Sequence, residues 1–199
     1  MIKAVLFDLD GVLVDACDWH YHALNLALEA NGLDKISYED HMDKYNGLPT
    51  SKKLEIMKID SNTAEKVWKQ KQQETFNAIS KYGKVDKYKI RMHKYLKKNK
   101  IKIACVTNSI RSTATEMLRV TGQLDYVELL IANEDVENNK PHPDCYELAF
   151  SRLGLKKEEC LIVEDSKKGI EAAERSGACL QKVSDIYDVT LDLIKRRLL

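Results

Sequence analysis

The chain has 199 residues, enough for one sizeable hydrophobic core and a small second domain. Its 32 lysines and arginines against 31 aspartates and glutamates give a net charge of +1 at pH 7. No field of one sign then covers the surface, which argues against nucleic acid or an anionic membrane as the main partner. A hydrophobic fraction of 44% with 32% charged residues excludes a disordered chain and fits an ordinary globular protein.

Neither a secretion signal nor a membrane span is predicted. The N-terminal apolar run meets Asp8 too soon to form the hydrophobic part of a signal peptide. No apolar stretch approaches the roughly 18–20 residues that a membrane span needs. The five cysteines contain no C-x-x-C pair, and Cys105 and Cys179 lie in apolar runs. We therefore expect a cytoplasmic protein with reduced cysteines in its core.

Five short apolar runs are predicted to be strands. They are continuous rather than alternating, which is typical of parallel strands that are buried on both faces. Helical periodicity fills the segments between the later runs, with Pro143 placed like a first-turn proline and Gly154 like a helix stop. This alternation predicts a doubly wound α/β sheet. The runs are residues 2–7, 101–106, 129–132, 161–163 and 180–183.

A helical segment separates the first strand from the second. One helix is predicted from Trp19 to a stop near Gly32, and Asn62 with Glu65 resembles a capping box that starts another. We interpret residues 16–86 as an inserted helical cap over the sheet. Residues 1–15 and 87–199 then form the α/β core, with hinges near residues 14–15 and 82–84.

Two carboxylates follow directly on the first strand. Asp8 and Asp10 are two residues apart, so on an extended chain their side chains leave on the same side. Ligands of open α/β sheets bind at the carboxyl ends of the strands, where this pair lies. The pair suits a hard cation or two roles in one acid–base mechanism. Alone, D-x-D also fits a metal–nucleotide site of a glycosyltransferase or a solvated turn.

Later strand ends supply the other parts of a phosphoryl-transfer site. Thr107 and Asn108 offer hydroxyl and amide donors at the tip of the second strand. Lys140 stands immediately before a helix start, and Glu164 and Asp165 end another strand. Hydroxyl donors, a fixed cation and metal-binding carboxylates are what phosphoryl transfer requires.

The four segments that carry these residues, in their order along the chain, resemble the motifs of the haloacid dehalogenase superfamily. The resemblance is to its phosphatase and β-phosphoglucomutase-like branch. The resemblance covers nearly the whole chain and implies a Rossmann-like core with an inserted helical cap. It also implies a phosphatase of small phosphate monoesters, such as sugar phosphates. The motifs are residues 8–15 (DLDGVLVD), 106–109 (VTNS), 139–144 (NKPHPD) and 163–170 (VEDSKKGI).

The resemblance implies Mg²⁺ as cofactor and a covalent mechanism. Asp8 would be the nucleophile that forms an aspartyl-phosphate. Asp10 would protonate the leaving alcohol and then activate water. Mg²⁺ would be held by the Asp8 carboxylate, the Asp10 main-chain carbonyl and Asp165, with Glu164 beside it or coordinating as well.

Three residues would bind the transferred phosphoryl group. Thr107 and Asn108 would donate hydrogen bonds to its oxygens, and Lys140 would neutralise both Asp8 and the charge of the transition state. The expected partner is a small phosphorylated metabolite. We expect no nucleic-acid or membrane partner, and a monomer or weak dimer.

Substrate choice is expected to depend on the cap. The loop at residues 46–54 resembles the family's cap loop, and it implies substrate contacts from Gly47, Thr50 and Lys52. His20 matches a histidine that the mutase and many phosphatases share. Thr50 stands where the mutase usually carries an arginine for a second phosphate, and this difference favours a phosphatase.

Other cap residues are open to two interpretations. Lys71 stands where the family often has an inward-reaching lysine, yet for Lys53 and Lys71, as for Lys52, an exposed helical lysine is the expectation. Trp19 is a candidate to face the leaving group. In the core, His142 is expected to be a solvent-facing loop residue.

Several alternatives remain open at this point. A phosphomutase would use Asp8 and Asp10 in the same way but return the phosphoryl group to the product. A binding module would keep the fold without turnover, although all four motifs are intact. A dehalogenase is disfavoured because halide displacement does not need Asp10, and no lysine is placed convincingly for a phosphonate hydrolase. The glycosyltransferase interpretation leaves Lys140 and the Glu164–Asp165 pair unexplained.

Overall fold

A parallel five-stranded sheet forms the centre of the computed structural model, which describes residues 1–198. Each strand overlaps one of the five predicted apolar runs, and the doubly wound α/β fold is confirmed. The strands are β1 (Ala4–Phe7), β2 (Lys102–Val106), β3 (Leu129–Ile131), β4 (Cys160–Glu164) and β5 (Cys179–Lys182). Their order in the sheet is β3-β2-β1-β4-β5, so β1 lies at the centre between β2 and β4.

Helices flank this sheet and fill the segment after β1. Four of them lie between β1 and Gly83: α1 (Cys17–Ala30), α2 (Tyr38–Asp40), α3 (Thr50–Ile56) and α4 (Ser61–Tyr82), with a π-helical turn at His41–Tyr45. The others are α5 (Lys87–Lys98), α6 (Arg111–Val120), α7 (Asp144–Leu153), α8 (Lys167–Ser176) and α9 (Leu191–Leu198). Short 3₁₀ turns lie at Leu124–Tyr126, Asn133–Asp135 and Lys157–Glu159.

The two faces of the sheet are buried against different helices. Alternate residues of a strand point to opposite faces, so Val5 and Phe7 join one hydrophobic cluster with residues of α5, α6 and α9. Ala4 and Leu6 join a second cluster with residues of α7 and α8. This double burial explains why the central strands β1, β2 and β4 read as continuous apolar runs.

The helices after β1 have a hydrophobic cluster of their own, which supports an inserted cap. The cluster joins Leu24 and Leu28 of α1 to Leu54 of α3 and Val67 of α4. The far end of α4 instead packs on the core through Ile79. The division at residues 16 and 86 stays a proposal.

Two details differ from the sequence prediction. Helix α4 begins at Ser61 because the Asp60 side chain, rather than a box at Asn62, accepts hydrogen bonds from the backbone N–H groups of Asn62 and Thr63. All five cysteines are free, but Cys179 is exposed because it lies on the edge strand β5. Among the helices of residues 1–198, none combines the length and the apolarity needed to cross a membrane.

Candidate active site

Two neighbouring strands bring the acidic residues together. Asp8 follows β1, and Glu164 ends β4, whose residue Val163 is paired with Phe7. Gly11 has a φ of +84°, and its α-carbon lies against the Asp165 carboxylate. A β-carbon at Gly11 would collide with the Asp165 carboxylate, so glycine is required there by both conformation and space.

Lys140 lies at the centre of a buried charge network. Its Nζ donates hydrogen bonds to Asp8 Oδ1 (2.7 Å), Glu164 Oε1 (2.5 Å) and the Val106 carbonyl (2.8 Å). The Tyr146 hydroxyl donates to the same Glu164 oxygen at 2.9 Å. Sequence reasoning missed Tyr146, although its place in the first turns of the helix after Lys140 could have suggested it. The lysine is thus fixed beside Asp8 and cannot swing into solvent.

The network carries more negative than positive charge. Burial lowers the pKa of Lys140, but Asp8 and Glu164 outweigh this and raise it well above its ordinary value. Burial raises the pKa of Asp8, with only partial opposition from Lys140. Burial and the nearby Glu164 raise the pKa of Asp165 to about 7. Lys140 stays charged, and the surplus carboxylates favour a further cation.

The residues present fit a hard divalent metal ion. Asp8, Glu164 and Asp165 can each offer one carboxylate oxygen, and these atoms lie within 4.8 Å of one another. Asp165 Oδ1 is buried without a hydrogen-bond partner among the described residues. Both oxygens of Glu164 are already engaged, Oε1 by Lys140 and Tyr146 and Oε2 by Ser166 and the Asp165 N–H. Asp8 and Asp165 are therefore the better ligands, and the predicted use of the Asp10 carbonyl stays a prediction.

Asp10 is held at the same strand end by a different set of contacts. Its Oδ2 accepts a hydrogen bond from Ser109 Oγ (2.8 Å), and its Oδ1 lies 2.9 Å from His20 Nε2. On the other side of the ring, Lys71 Nζ lies 3.2 Å from His20 Nδ1. Burial raises the pKa of Asp10, but His20, Ser109 and Lys71 together bring it below its ordinary value. His20 therefore positions Asp10 as well as lining the pocket.

The predicted phosphoryl-binding residues lie beside this pair. Thr107 is buried, and its hydroxyl accepts a hydrogen bond from the Ser109 N–H at 3.0 Å. Asn108 Nδ2 donates to the carbonyls of Lys140 (3.2 Å) and Gly47 (2.7 Å). Asn108 thus joins the lysine loop of the core to the cap loop.

The structure separates the cap residues into inner and outer ones. Thr50 begins α3 and lines the pocket. Lys52 points outward, where its Nζ donates to Glu55 at 2.8 Å, and it does not line the pocket. The expectation that Lys53 and Lys71 are exposed is wrong, because both line the pocket and are only 5% and 6% exposed.

A signal for the burial of Lys71 was present in the sequence. Residues four apart share one face of a helix, and the buried residues of α4 follow this spacing: Val67, Lys71, Thr75 and Ile79. Among the aromatic residues, Trp19 stacks on Tyr82 away from the pocket, and Trp68 lines it instead. His142 is exposed, as predicted.

The comparisons with known proteins match the chain over most of its length. The family model for haloacid dehalogenase-like hydrolases matches residues 5–182. A phosphorylated carbohydrates phosphatase from Thermotoga maritima is 30% identical over 195 residues, 96% of this chain and 87% of the relative. Pyrophosphatase PpaX from Halalkalibacterium halodurans is 29% identical, over 88% of this chain and 80% of the relative. The structure of a β-phosphoglucomutase from Clostridium difficile has the same fold, with a TM-score of 0.85, 21% identity, and coverage of 99% of this chain and 97% of that one.

Proposed function

We propose that this chain, which belongs to the haloacid dehalogenase-like hydrolase family and hydrolyses phosphate esters, is a Mg²⁺-dependent phosphatase of small phosphate monoesters. The observation that carries the proposal is Asp8, buried between Lys140 and the two carboxylates at the end of β4, Glu164 and Asp165, with Asp10 beside it. A nucleophile, a fixed cation and a separate acid–base group are the parts that hydrolysis through an aspartyl-phosphate needs. The activity named for the Thermotoga maritima relative is consistent with this class of substrate.

The first half of the reaction forms the covalent intermediate. A carboxylate oxygen of Asp8 attacks phosphorus, and the bond from phosphorus to the alcohol oxygen breaks. The negative charge of the bound phosphate ester raises the pKa of Asp10, which takes up a proton from solvent and gives it to that oxygen, so the leaving group departs as a neutral alcohol. Lys140 remains charged beside Asp8 and lowers the energy of the transferring group, as a preorganised cation does.

The second half releases phosphate. Asp10, now ionised and held by His20 and Ser109, takes a proton from water. The oxygen of this water attacks phosphorus, the bond to Asp8 breaks, and inorganic phosphate leaves. Asp8 and Asp165 would hold Mg²⁺, which would supply charge neutralisation for the phosphoryl group when bound.

The pocket favours a small leaving group. Its residues come from the core, such as Thr107 and Asn108, and from the cap, such as Thr50 and Trp68. The cavity that they line measures ≈ 70 Å³. With the cap in this position, a phosphoryl group and a short leaving group are what the site can hold.

The proposal is tested by release of inorganic phosphate from a panel of phosphorylated sugars, polyols, amino alcohols and nucleotides, with Mg²⁺ and with a chelator. We expect Mg²⁺-dependent release that Asp8→Asn abolishes, because an amide is not a nucleophile toward phosphorus. Asp34→Asn makes the same chemical change at an exposed position and serves as control. Release by Asp8→Asn at the wild-type rate would exclude the mechanism. Isomerised sugar phosphate without net release of phosphate would identify a phosphomutase instead.

A further inference from the structure

Two buried lysines form the cap side of the pocket. Lys53 on α3 and Lys71 on α4 are almost fully buried, and both line the cavity. Lys71 Nζ lies 3.2 Å from His20 Nδ1. Within the described residues, Lys53 makes neither an ion pair nor a hydrogen bond through its Nζ. A buried ammonium group normally has such partners, because taking it out of water without them is unfavourable.

Other lysines of this chain show what such partners look like. Lys89 is as buried as Lys53, and its Nζ donates to the carbonyls of Ile186 and Val189, each at 2.9 Å. Lys52, the neighbour of Lys53, is exposed and paired with Glu55. Lys53 therefore differs from both: it is buried like Lys89 but has no hydrogen-bond acceptor for its ammonium group among the described residues.

The pocket holds no spare negative charge for these cations. Of the described residues that line it, only Asp8 and Asp10 are acidic. Asp8 is paired with Lys140, and Asp10 is engaged by His20 and Ser109. Burial, together with neighbouring lysines and only partly opposed by Asp10, lowers the pKa of Lys53 to about 8 and that of Lys71 to about 7. The cap half of the cavity is thus a region of positive charge in which neither lysine has a carboxylate paired with it among the described residues.

We propose that the substrate's leaving group carries a second anionic group, a carboxylate or a phosphate, and that Lys53 binds it. Lys71 reinforces the positive charge from the neighbouring helix, while Thr50 and Ser51 offer hydroxyls on the same side. An anion at this place would supply the counter-charge that the protein itself lacks. The inference rests on the proposed phosphatase function and narrows its substrate class.

Matched pairs of phosphate esters test this directly. Phosphoglycolate and ethyl phosphate differ in a terminal carboxylate, and propane-1,3-diyl bisphosphate and propyl phosphate differ in a terminal phosphate. We expect kcat/KM to favour the charged member of at least one pair by about 10- to 100-fold, the effect of one charge-assisted hydrogen bond. The pair that shows the preference identifies whether carboxylate or phosphate is recognised.

Variants assign the preference to Lys53. Lys53→Met is expected to reduce the charged-over-neutral ratio to near one, mainly through KM, and Lys53→Arg to keep most of it. Lys69→Met removes the same charge from an exposed position of α4, where the lysine pairs with Glu65, and is expected to keep the wild-type ratio. Equal kcat/KM within both pairs, or a preference that survives Lys53→Met, would overturn the inference but not the phosphatase function. No phosphate release from either member of either pair with Mg²⁺ present would overturn both.

Discussion

Lys53 is expected to lower the stability of the folded protein at neutral pH. The ordinary lysine pKa of 10.5 falls to about 8 in the folded chain because of burial. Between these two values the unfolded chain binds more protons than the folded one. Lys53 therefore does not lower the free energy of unfolding above about pH 10.5, and its full destabilising effect develops as the pH falls to about 8. The difference corresponds to about 3 kcal/mol. A residue kept at this cost fits a role in binding rather than in folding.

The measurement is urea unfolding of the wild type and of Lys53→Met in chelator. At pH 7, the free energy of unfolding should be higher for the variant, because methionine fills a similar volume without a charge. By pH 9.5, this gain should shrink to roughly half or less, because Lys53 in the folded wild type has lost its proton and is no longer a buried charge. Lys69→Met should show no comparable gain, since its lysine is exposed and paired. A less stable Lys53→Met protein at pH 7 would mean that the charge has a partner within the fold.

At the scale of secondary-structure elements, the metal ion is expected to tie the ends of two strands together. Asp8 follows β1 and Asp165 follows β4, and their surplus of negative charge is unfavourable without a cation. Mg²⁺ at about 100 times its dissociation constant should raise the free energy of unfolding by about 2.7 kcal/mol. Asp165→Asn should lose most of this gain while being at least as stable as the wild type in chelator.

Thermal or urea unfolding with and without Mg²⁺ measures this effect without any substrate. Asp34→Asn, at an exposed position, should keep the full Mg²⁺ response. An undiminished Mg²⁺ response in Asp165→Asn would place the ion elsewhere. A wild-type protein with no response at any Mg²⁺ concentration would contradict a metal site at these strand ends.

The elements also show what a sequence can and cannot predict. The central strands β1, β2 and β4 were predictable because burial on both faces makes them continuous apolar runs. The location of Asp8 and Asp165 followed from topology, since parallel strands end at one edge of the sheet. The segment that holds α2, the π-helical turn and α3 was not resolved into elements, because helices this short carry too few turns to show a period. The burial of Lys53 depends on how α3 packs against α1 and α4, which no local pattern records.

At the scale of the whole molecule, the core holds the cap loop through backbone carbonyls. Lys168 Nζ at the start of α8 donates to the Asn46 carbonyl at 2.9 Å, and Asn108 Nδ2 donates to the Gly47 carbonyl at 2.7 Å. Gly47 packs directly against Ser166 of the core, where an added β-carbon would lie 3.3 Å from its hydroxyl oxygen. These hydrogen bonds require the cap loop to lie over the carboxyl ends of the strands. In this position Thr50 and Lys53 reach the pocket. We therefore expect Lys168 to stabilise the closed arrangement of cap and core.

Lys168→Met removes one of these bonds and leaves the catalytic groups in place. Losing one hydrogen bond of ordinary strength should lower kcat/KM by about 2- to 10-fold, because a smaller fraction of the molecules then has the cap in the closed position. Amide hydrogen exchange should quicken in the cap loop around residues 46–50 and stay unchanged in β1 and β4, since the cap opens without unfolding the sheet. Lys167→Met, at the exposed neighbouring position, should change neither quantity. Equal exchange and equal kcat/KM in the two variants would show that the contact of Lys168 with the cap loop does not control closure.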